Sequence, residues 1–350
     1  MKKSLDVLRG GINDVNYQLL ALLNLRSMLV KDIIELKDTA GMDYFDPVRE
    51  EEMFENILKR NNGPLPNELV KKMFSAIFRS TLDYMGMNRG KSLLISSQSS
   101  ECFQSIHTMF NLLPGTPVII AGPCAVENIR YLEDIAVLLN RVGVKFLRGG
   151  AYKPRTSPYD FQGLKEEGIK ILSEIGKKYN LITVTEVVDT RDVDMLVKFV
   201  DVLQIGARNM QNFELLKEVG QTKRPILLKR GLNATIQEFL YAAEYIALQG
   251  NRKIILCERG IRTFETKTRN TLDIASVPII KKEANLPIIV DISHSLGRKD
   301  IANPVGKAAL AVGADGIMVE VHPYPEIALS DSKQQLSPDE FIEFINYIFA

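Results

Sequence analysis

Nine polar or reactive residues follow or end eight short apolar runs in the second part of the chain. They are four cations, two glutamates, two histidines and one cysteine: Arg148, Arg208, Lys229, Arg259, Glu186, Glu320, His294, His322 and Cys124. Burying charges is costly unless they are paired, so apolar packing does not explain the whole set. A group of cations that meet at one place would bind an anion.

The stretch "FLRGGAYKPRTSPYDFQG", residues 146–163, concentrates further cations around two prolines. Its basic residues are Arg148, Lys153 and Arg155, and Asp160 is its only acid. Proline limits loop motion, so binding would cost little ordering entropy. With the cations above, these side chains could hold two phosphate groups and a carboxylate, for which arginine supplies planar paired donors. The alternative is a solvated basic loop that pairs with acidic helices.

Four residues are candidate metal ligands: Cys124, His294, Glu320 and Asp331. A thiolate, an imidazole and carboxylates together suit a divalent transition ion better than magnesium. Taken singly, the cysteine could be a small core residue and the histidine could cap a strand end. The spacing is not that of a local zinc-finger motif. His322 could either support a ligand or hydrogen-bond within the site.

Eight apolar runs of strand length, which alternate with helical stretches, would position the candidate site residues. The runs are "VIIAGP", "KFLRGG", "LITVTEV", "VLQIGA", "PILLKRG", "IILCERG", "PIIVDISH" and "GIMVEVH". Strand–helix alternation indicates parallel pairing, and eight units predict a (β/α)8 barrel of about 230 residues. An open doubly wound sheet is the alternative. In a barrel the carboxyl ends of the strands meet at one face, which would gather the polar residues there.

The first part of the chain is predicted to be all helical. One helix is expected over residues 4–38, a second begins at Asp46 as N-cap with Pro47 first, and a third spans 67–85 with Gly86 as its stop. At the other end, Ser337 and Glu340 form a capping box that predicts a final helix. We therefore expect a helical domain over 1–88, a linker over 89–103 and the barrel over 104–350.

Composition excludes several classes of protein. The chain has 350 residues with 44 basic and 43 acidic side chains, so its near-neutral charge gives no reason to expect nucleic acid. No apolar run has the length of a membrane span, and the start lacks the apolar core of a secretory signal. The three cysteines indicate reduced thiols. We expect a cytoplasmic protein that binds small molecules.

Seven motifs in the barrel region resemble the type I 3-deoxy-D-arabino-heptulosonate 7-phosphate (DAHP) synthases, of the β subfamily without large inserted loops. They are "AGPCAVE", "LRGGAYKPRTSPYDFQG", "QIGARNMQN", "LLKRG", "CERGIRTFE", "DISHS" and "VEVHPYP" with "ALSDSKQQL". The resemblance covers residues 104–350. It implies condensation of phosphoenolpyruvate with erythrose 4-phosphate, the first step of the shikimate pathway. Both substrates carry phosphate, which would account for the basic loop.

The resemblance also implies the role of each site residue. The metal ligands would be Cys124, His294, Glu320 and Asp331, holding Mn²⁺ or alternatively Zn²⁺, Fe²⁺ or Co²⁺. Phosphoenolpyruvate would contact Arg148, Lys153, Arg208, Lys229 and Arg259, and erythrose 4-phosphate would contact Lys153, Arg155, Thr156 and Ser157. Candidates for proton transfer are Lys153, Glu186 and His322. A related synthase, which uses arabinose 5-phosphate to make 3-deoxy-D-manno-octulosonate (KDO) 8-phosphate, is the alternative; its loop resembles "KANRSS" rather than "KPRTS". A binding protein on a degenerate barrel would lack one of these residues.

Residues 4–85 resemble the all-helical chorismate mutases of the AroQ type, which convert chorismate to prephenate. The implied pocket consists of Arg9 from the partner subunit together with Arg26, Lys37, Asp46, Arg49, Glu50, Thr81 and Met85. The family has serine and glutamine or glutamate where this chain has Thr81 and Met85, and methionine is a poor hydrogen-bonding group. We therefore expect chorismate or prephenate to bind as an effector with weak mutase activity and feedback regulation of the barrel. A fully active bifunctional enzyme is the alternative.

The first helix also predicts a homo-oligomer. A helix of about 35 residues is about 50 Å long, whereas a compact domain of 85 residues is only about 30 Å across. One copy cannot cover such a helix, so an intertwined dimer is the natural solution. Barrel contacts of the resembling family suggest a tetramer.

Overall fold

The computed structural model describes residues 4–40, 47–88, 93–100, 102–154 and 157–350. The chain divides into two compact units, Met1–Lys91 and Ser92–Ala350. Among the described residues, no helix combines the length and the apolar character that crossing a membrane requires.

In its described residues the first unit has three helices: α1 (Leu5–Ala40), α2 (Pro47–Lys59) and α3 (Asn67–Asn88). Its small core contains Ile34, Phe54, Val70 and Phe78, all buried, and the rings of Phe54 and Phe78 lie 5.1 Å apart. The three predicted helices are thus confirmed. The predicted end of the third was wrong, because α3 continues through Gly86; glycine costs about 1 kcal/mol in a helix but does not forbid one.

One apolar stripe of α1 is exposed in the single chain. It consists of Leu5, Leu8, Ile12, Val15, Leu19, Leu22 and Leu23. At 1.5 Å per residue this helix of 36 residues is about 54 Å long. Such a long apolar stripe in water is unfavourable unless another chain covers it.

The second unit contains eight parallel strands that close into a barrel in chain order. The strands are β1 (Val118–Gly122), β2 (Phe146–Arg148), β3 (Ile182–Val187), β4 (Val202–Ile205), β5 (Ile226–Lys229), β6 (Ile254–Glu258), β7 (Ile288–Asp291) and β8 (Gly316–Glu320). Each lies within one of the eight predicted runs. Because β1 pairs with β8 from Val118↔Gly316 to Gly122↔Glu320, the barrel is confirmed and the open sheet is excluded.

Ten helices accompany the strands in the described part of this unit. They are α4 (Ile106–Phe110), α5 (Ile129–Arg141), α6 (Glu166–Tyr179), α7 (Val193–Phe199), α8 (Phe213–Gly220), α9 (Ile236–Leu248), α10 (Ser276–Glu283), α11 (Ile292–Leu296), α12 (Ala302–Ala311) and α13 (Pro338–Phe349). The predicted capping box of α13 is present, because Ser337 and Glu340 each bond the other's backbone.

The core has two layers, one between strands and helices and one inside the barrel. Inside, Phe146 from β2 packs edge-on against Phe110 of α4, with ring centres 4.9 Å apart. Phe146 and Val118 begin their strands, so α4 lies over the amino ends of the strands. The opposite end, where the polar residues follow the strands, is where barrel enzymes place their sites.

Residues 93–100, within the predicted linker, belong to the barrel unit. Ile95 is fully buried, and its backbone N–H donates to the Glu244 carboxylate at 3.3 Å. Ser96 bridges Ala284. The predicted division into 1–88, 89–103 and 104–350 stays a prediction, but this part of the segment packs as part of the barrel.

Candidate active site and metal centre

The four candidate metal ligands lie together at the carboxyl ends of the strands. Cys124, His294, Glu320 and Asp331 each offer one ligand atom, and these atoms all lie within 4.8 Å of one another. Cys124 Sγ is 3.3 Å from Asp331 Oδ2, and His294 Nε2 is 3.5 Å from Glu320 Oε1. The barrel thus gathers side chains that are up to 207 residues apart in the sequence.

Neighbouring side chains orient three of these residues. Asp291 caps α11 and accepts from the His294 ring at Nδ1, 2.7 Å away. Gln334 Nε2 donates to Glu320 Oε2 at 2.5 Å, and Arg269 lies 3.2 Å from Asp331 Oδ1. Partners of this kind fix ligand orientation before a metal binds.

The ionisation of the group fits a divalent transition metal. Burial, with a contribution from Glu320, raises the pKa of Cys124 to about 12, so the thiol keeps its proton until a cation is present. Burial lowers the pKa of His294, which leaves the ring neutral. Burial opposes ionisation of Asp331, but Arg269 and His294 outweigh it and lower its pKa to about 2. Sulfur, nitrogen and oxygen donors together match the preferences of such ions.

A cavity of about 240 Å³ opens beside this group. The cavity is lined by every cation predicted at the strand ends, by the lysine of the basic loop and by one of the predicted acids: Arg148, Arg208, Lys229, Arg259, Lys153 and Glu186. The lack of a side chain at Gly206 leaves room for the Glu186 carboxylate, because a Cβ at position 206 would lie 1.9 Å from Glu186 Oε1. The structure therefore brings this part of the predicted site together.

Two of the cations are paired with carboxylates of the site, and a third contacts the cysteine. Arg148 pairs with Glu320 and Lys229 pairs with Asp291, while Lys153 Nζ lies 3.0 Å from Cys124 Sγ. Arg208 and Arg259 have no ion pair among the described residues. Arg259 is buried, and burial together with the nearby Arg269 lowers its pKa. A buried guanidinium that lines a cavity and makes no direct ion pair favours the binding of an anion.

Apart from the ligands Cys124 and Glu320, two of the predicted positions of the barrel do not line the cavity, and two more are outside the described residues. His322 is 1% exposed, and its Nδ1 accepts from the Tyr324 backbone N–H at 3.0 Å. Ser157 is described but does not line the cavity. Arg155 and Thr156 lie outside the described residues.

Sequence reasoning missed several residues of the site. Arg262, Arg269, Gln204 and Asn270 line the cavity, and Asp291 orients His294. Arg262 and Asp291 lie inside the motifs "CERGIRTFE" and "DISHS", so the sequence did contain a signal that could have identified them as site residues. Arg269 lies in the irregular segment after β6, and no spacing or composition pointed to it.

In the helical unit, Arg26 occupies a partly buried position. Its Nη1 donates to Thr81 Oγ1 at 2.6 Å, and its guanidinium lies 4.6 Å from the centre of the Phe78 ring. Burial lowers the pKa of Arg26. Thr81 in turn donates to the Ile77 carbonyl at 2.7 Å. Two of the predicted pocket residues therefore touch.

The other predicted pocket residues of this unit are not seen to converge. Arg9 lies near Asp6 at 3.9 Å and Arg49 near Glu52 at 3.1 Å, all exposed. Lys37 lies in the last turn of α1. Asp46 and the side chains of Glu50 and Met85 lie outside the described residues.

A closed (β/α)8 barrel with a cationic cavity beside a cysteine–histidine–carboxylate group that could hold a metal ion is typical of barrel enzymes that act on anionic substrates. Comparison with known proteins narrows the class. The family model of the DAHP synthetase I family matches residues 114–348, and that of chorismate mutase type II matches residues 8–85. The chain belongs to the DAHP synthetase I family, and it carries a chorismate mutase domain before the barrel.

Individual relatives support the assignment to this family. Phospho-2-dehydro-3-deoxyheptonate aldolase of Thermotoga maritima is 59% identical over 227 residues, which cover 65% of this chain and 67% of the relative. The crystal structure of a protein of that name from T. maritima has a TM-score of 0.65 at 56% identity, covering 67% of this chain and 69% of the other. The chain is accordingly a DAHP synthase, a transferase of a metal-dependent family.

The alternative family considered from the sequence, the KDO 8-phosphate synthases, is less similar in sequence to this chain. The 2-dehydro-3-deoxyphosphooctonate aldolase of Geobacter sulfurreducens is 30% identical over 243 residues, covering 64% of this chain and 88% of the relative. The truncated DAHP synthase of T. maritima, by contrast, is 50% identical with a TM-score of 0.67, covering 73% of this chain and 95% of the other.

Proposed function

We propose that the barrel condenses phosphoenolpyruvate with erythrose 4-phosphate to give DAHP and inorganic phosphate, opening the shikimate pathway in the cytoplasm. The observation that carries this proposal is the cavity in which Arg148, Lys153, Arg208, Lys229 and Arg259 meet beside four metal-ligating side chains. Two phosphorylated substrates, one of them also a carboxylate, need such a density of donors.

In this proposal the cations that line the cavity bind phosphoenolpyruvate. Arg259 and Arg208, which have no ion pair among the described residues, supply the net positive charge. Arg148, Lys153 and Lys229 add donors whose directions are fixed by Glu320, Cys124 and Asp291. Lys153 and the predicted residues Arg155, Thr156 and Ser157 bind erythrose 4-phosphate, so that Lys153 lies between the two substrates.

Cys124, His294, Glu320 and Asp331 would hold the metal, for which we propose Mn²⁺ with Zn²⁺, Fe²⁺ or Co²⁺ as alternatives. When bound, a divalent ion supplies Lewis acidity toward a substrate carbonyl. The sulfur ligand favours a transition ion over Mg²⁺.

The remaining chemistry falls to positioned side chains. The methylene carbon of phosphoenolpyruvate attacks the aldehyde carbon, water adds to the neighbouring carbon, and phosphate leaves. In this proposal Lys153 gives a proton to the aldehyde oxygen and Glu186 takes one from the water; both side chains line the cavity. The cations hold the two reactants together and neutralise both phosphates.

Release of phosphate from phosphoenolpyruvate tests the proposal. We expect release only when erythrose 4-phosphate is present, loss of turnover in chelator and recovery with added Mn²⁺. The variant Arg259→Ala should lose most activity, whereas Arg191→Ala, an exposed arginine paired with Asp189, should not. A preference for arabinose 5-phosphate would favour the KDO 8-phosphate synthase alternative instead.

For the helical unit we propose binding of chorismate or prephenate, with weak mutase activity and feedback inhibition of the barrel. The contact of Arg26 with Thr81 supports a carboxylate site there. Prephenate should inhibit the synthase, and Arg26→Ala should abolish this inhibition while Arg60→Ala retains it. Fast mutase turnover in the unaltered chain would favour the alternative, a fully active bifunctional enzyme.

We further propose a homo-oligomer, a dimer at least and a tetramer in its full form. Arg9 and Arg26 lie 17 residues apart in α1, so they are about 25 Å apart along one helix. A pocket that uses both arginines therefore needs two chains. The exposed stripe of α1 offers the interface. A measured mass of one chain in solution would contradict the proposal.

A further inference from the structure

Glu127 is a buried acid that lies three residues after Cys124 and outside the cavity. Its side chain is 5% exposed. Oε1 accepts a hydrogen bond from the Leu329 backbone N–H at 2.8 Å, and Oε2 lies 3.5 Å from His322 Nε2. Leu329 comes two residues before Asp331. One carboxylate therefore joins the segment that follows β1 to the segment that follows β8.

His322 is turned toward this glutamate. Because Nδ1 accepts from the Tyr324 backbone N–H, the neutral ring carries its proton on Nε2. That atom is buried and has no hydrogen bond within the described part of the chain, and the Glu127 carboxylate lies 3.5 Å from it. Tyr131 packs edge-on against the ring at 5.4 Å. His322 thus belongs to the support behind the metal ligands.

Gln335 makes a second connection between the same two segments. It is fully buried; its Oε1 accepts from the Cys124 backbone N–H at 2.9 Å, and its Nε2 donates to the Ser330 carbonyl at 2.8 Å. Between these two connections lies Asp331 in the left-handed region, at φ 51 and ψ 39. This conformation is uncommon for residues other than glycine, although aspartate adopts it more readily than most.

We propose that Glu127 is a positioning residue of the metal centre. Through Leu329 and His322 it holds the Asp331 segment against Cys124, so the ligand atoms are gathered before the ion arrives. Without it, metal binding must also order the segment, which weakens affinity. This inference rests on the metal site proposed above.

Cobalt titration of the full-length protein tests it. Co²⁺ bound by a thiolate gives a charge-transfer absorption that reports the Cys124 bond directly, independent of activity. We expect Glu127→Ala to raise the Co²⁺ dissociation constant roughly 10- to 100-fold, the usual effect of removing a group that supports a ligand. Glu127→Asp, whose carboxylate is one methylene shorter and cannot reach both partners, should also bind more weakly. Glu326→Ala, which removes an exposed glutamate from the same segment, is the matched control.

The outcomes separate the two proposals. If the unaltered protein gives no thiolate absorption, the metal site itself is wrong. If it does, and both Glu127 variants bind Co²⁺ as tightly as Glu326→Ala, the positioning role is wrong while the site stands. Should Glu127→Ala fail to fold by circular dichroism, Glu127→Asp decides alone: weaker binding supports the role and equal binding overturns it. A purely structural role would lower the thermal midpoint but leave the dissociation constant unchanged.

Discussion

Asp291 fixes both the backbone and the ring of His294. Its Oδ1 accepts the His294 backbone N–H at 2.9 Å, and its Oδ2 lies 2.7 Å from Nδ1 of the ring. Because Nδ1 faces a carboxylate acceptor, it carries the ring proton, and Nε2 keeps the lone pair that a metal needs. The last residue of β7 therefore selects the tautomer of a candidate ligand.

Asp291→Asn should weaken metal binding. Asparagine can turn its amide nitrogen toward Nδ1, which would shift the ring proton to Nε2, and it leaves the buried Lys229 without a counter-ion. We expect the metal dissociation constant to rise roughly 10- to 100-fold. Competition with a chelator measures it, and Asp300→Asn, an exposed aspartate paired with Arg298, is the control. Equal affinity in the two variants would contradict this role for Asp291.

Metal binding should release one proton. The pKa of the Cys124 thiol is raised to about 12, so the metal-free protein holds this proton at neutral pH. His294 is already neutral, since its pKa is lowered, and the pKa values of Glu320 and Asp331 are lowered too. Affinity should therefore rise about tenfold per pH unit between about pH 7 and pH 8. Calorimetry in buffers of different ionisation enthalpy counts the protons; a count of zero would mean that the thiol is not a ligand.

The strands and their polar ends were predictable because apolar runs and barrel geometry act locally. Each run from "VIIAGP" to "GIMVEVH" contains one strand, and closing the barrel gathered Cys124, His294 and Glu320 without any further information. Asp331 was a candidate only because it follows the last strand, and the left-handed conformation in which it lies is encoded by no local pattern.

The supporting contacts could not be predicted in this way. Arg269 reaches Asp331 and Gln335 reaches Cys124 across 62 and 211 residues, from positions with no distinctive spacing. The orientation of His322 likewise follows from a backbone N–H and a buried glutamate that only the fold brings near. The type of a side chain indicates which chemistry a residue can perform, but its orientation depends on contacts with residues that are distant in the sequence.

Gly206→Ala should impair turnover without unfolding the barrel. The new Cβ would lie 1.9 Å from Glu186 Oε1, and the end of that flexible side chain can move away from the cavity wall. If Glu186 handles a proton, kcat should fall roughly 100-fold or more while the thermal midpoint changes little. Gly63→Ala, where nothing lies closer than Asn61 Oδ1 at 3.8 Å, is the control. Unchanged kcat would remove Glu186 from the mechanism.

Met85→Gln should increase chorismate mutase activity. The resemblance to the mutases puts a hydrogen-bonding side chain at this position of α3, where it would contact the ether oxygen as charge develops in the transition state. Such contacts set rate more than affinity, and one donor is worth roughly 100- to 1000-fold in rate. We therefore expect kcat to rise by about that factor, with little change in the affinity for prephenate. Met73→Gln, at an exposed methionine of the same helix, controls for the substitution itself. Prephenate formation from chorismate is the assay, and a fast mutase in the unaltered chain would mean that Met85 does not limit the reaction.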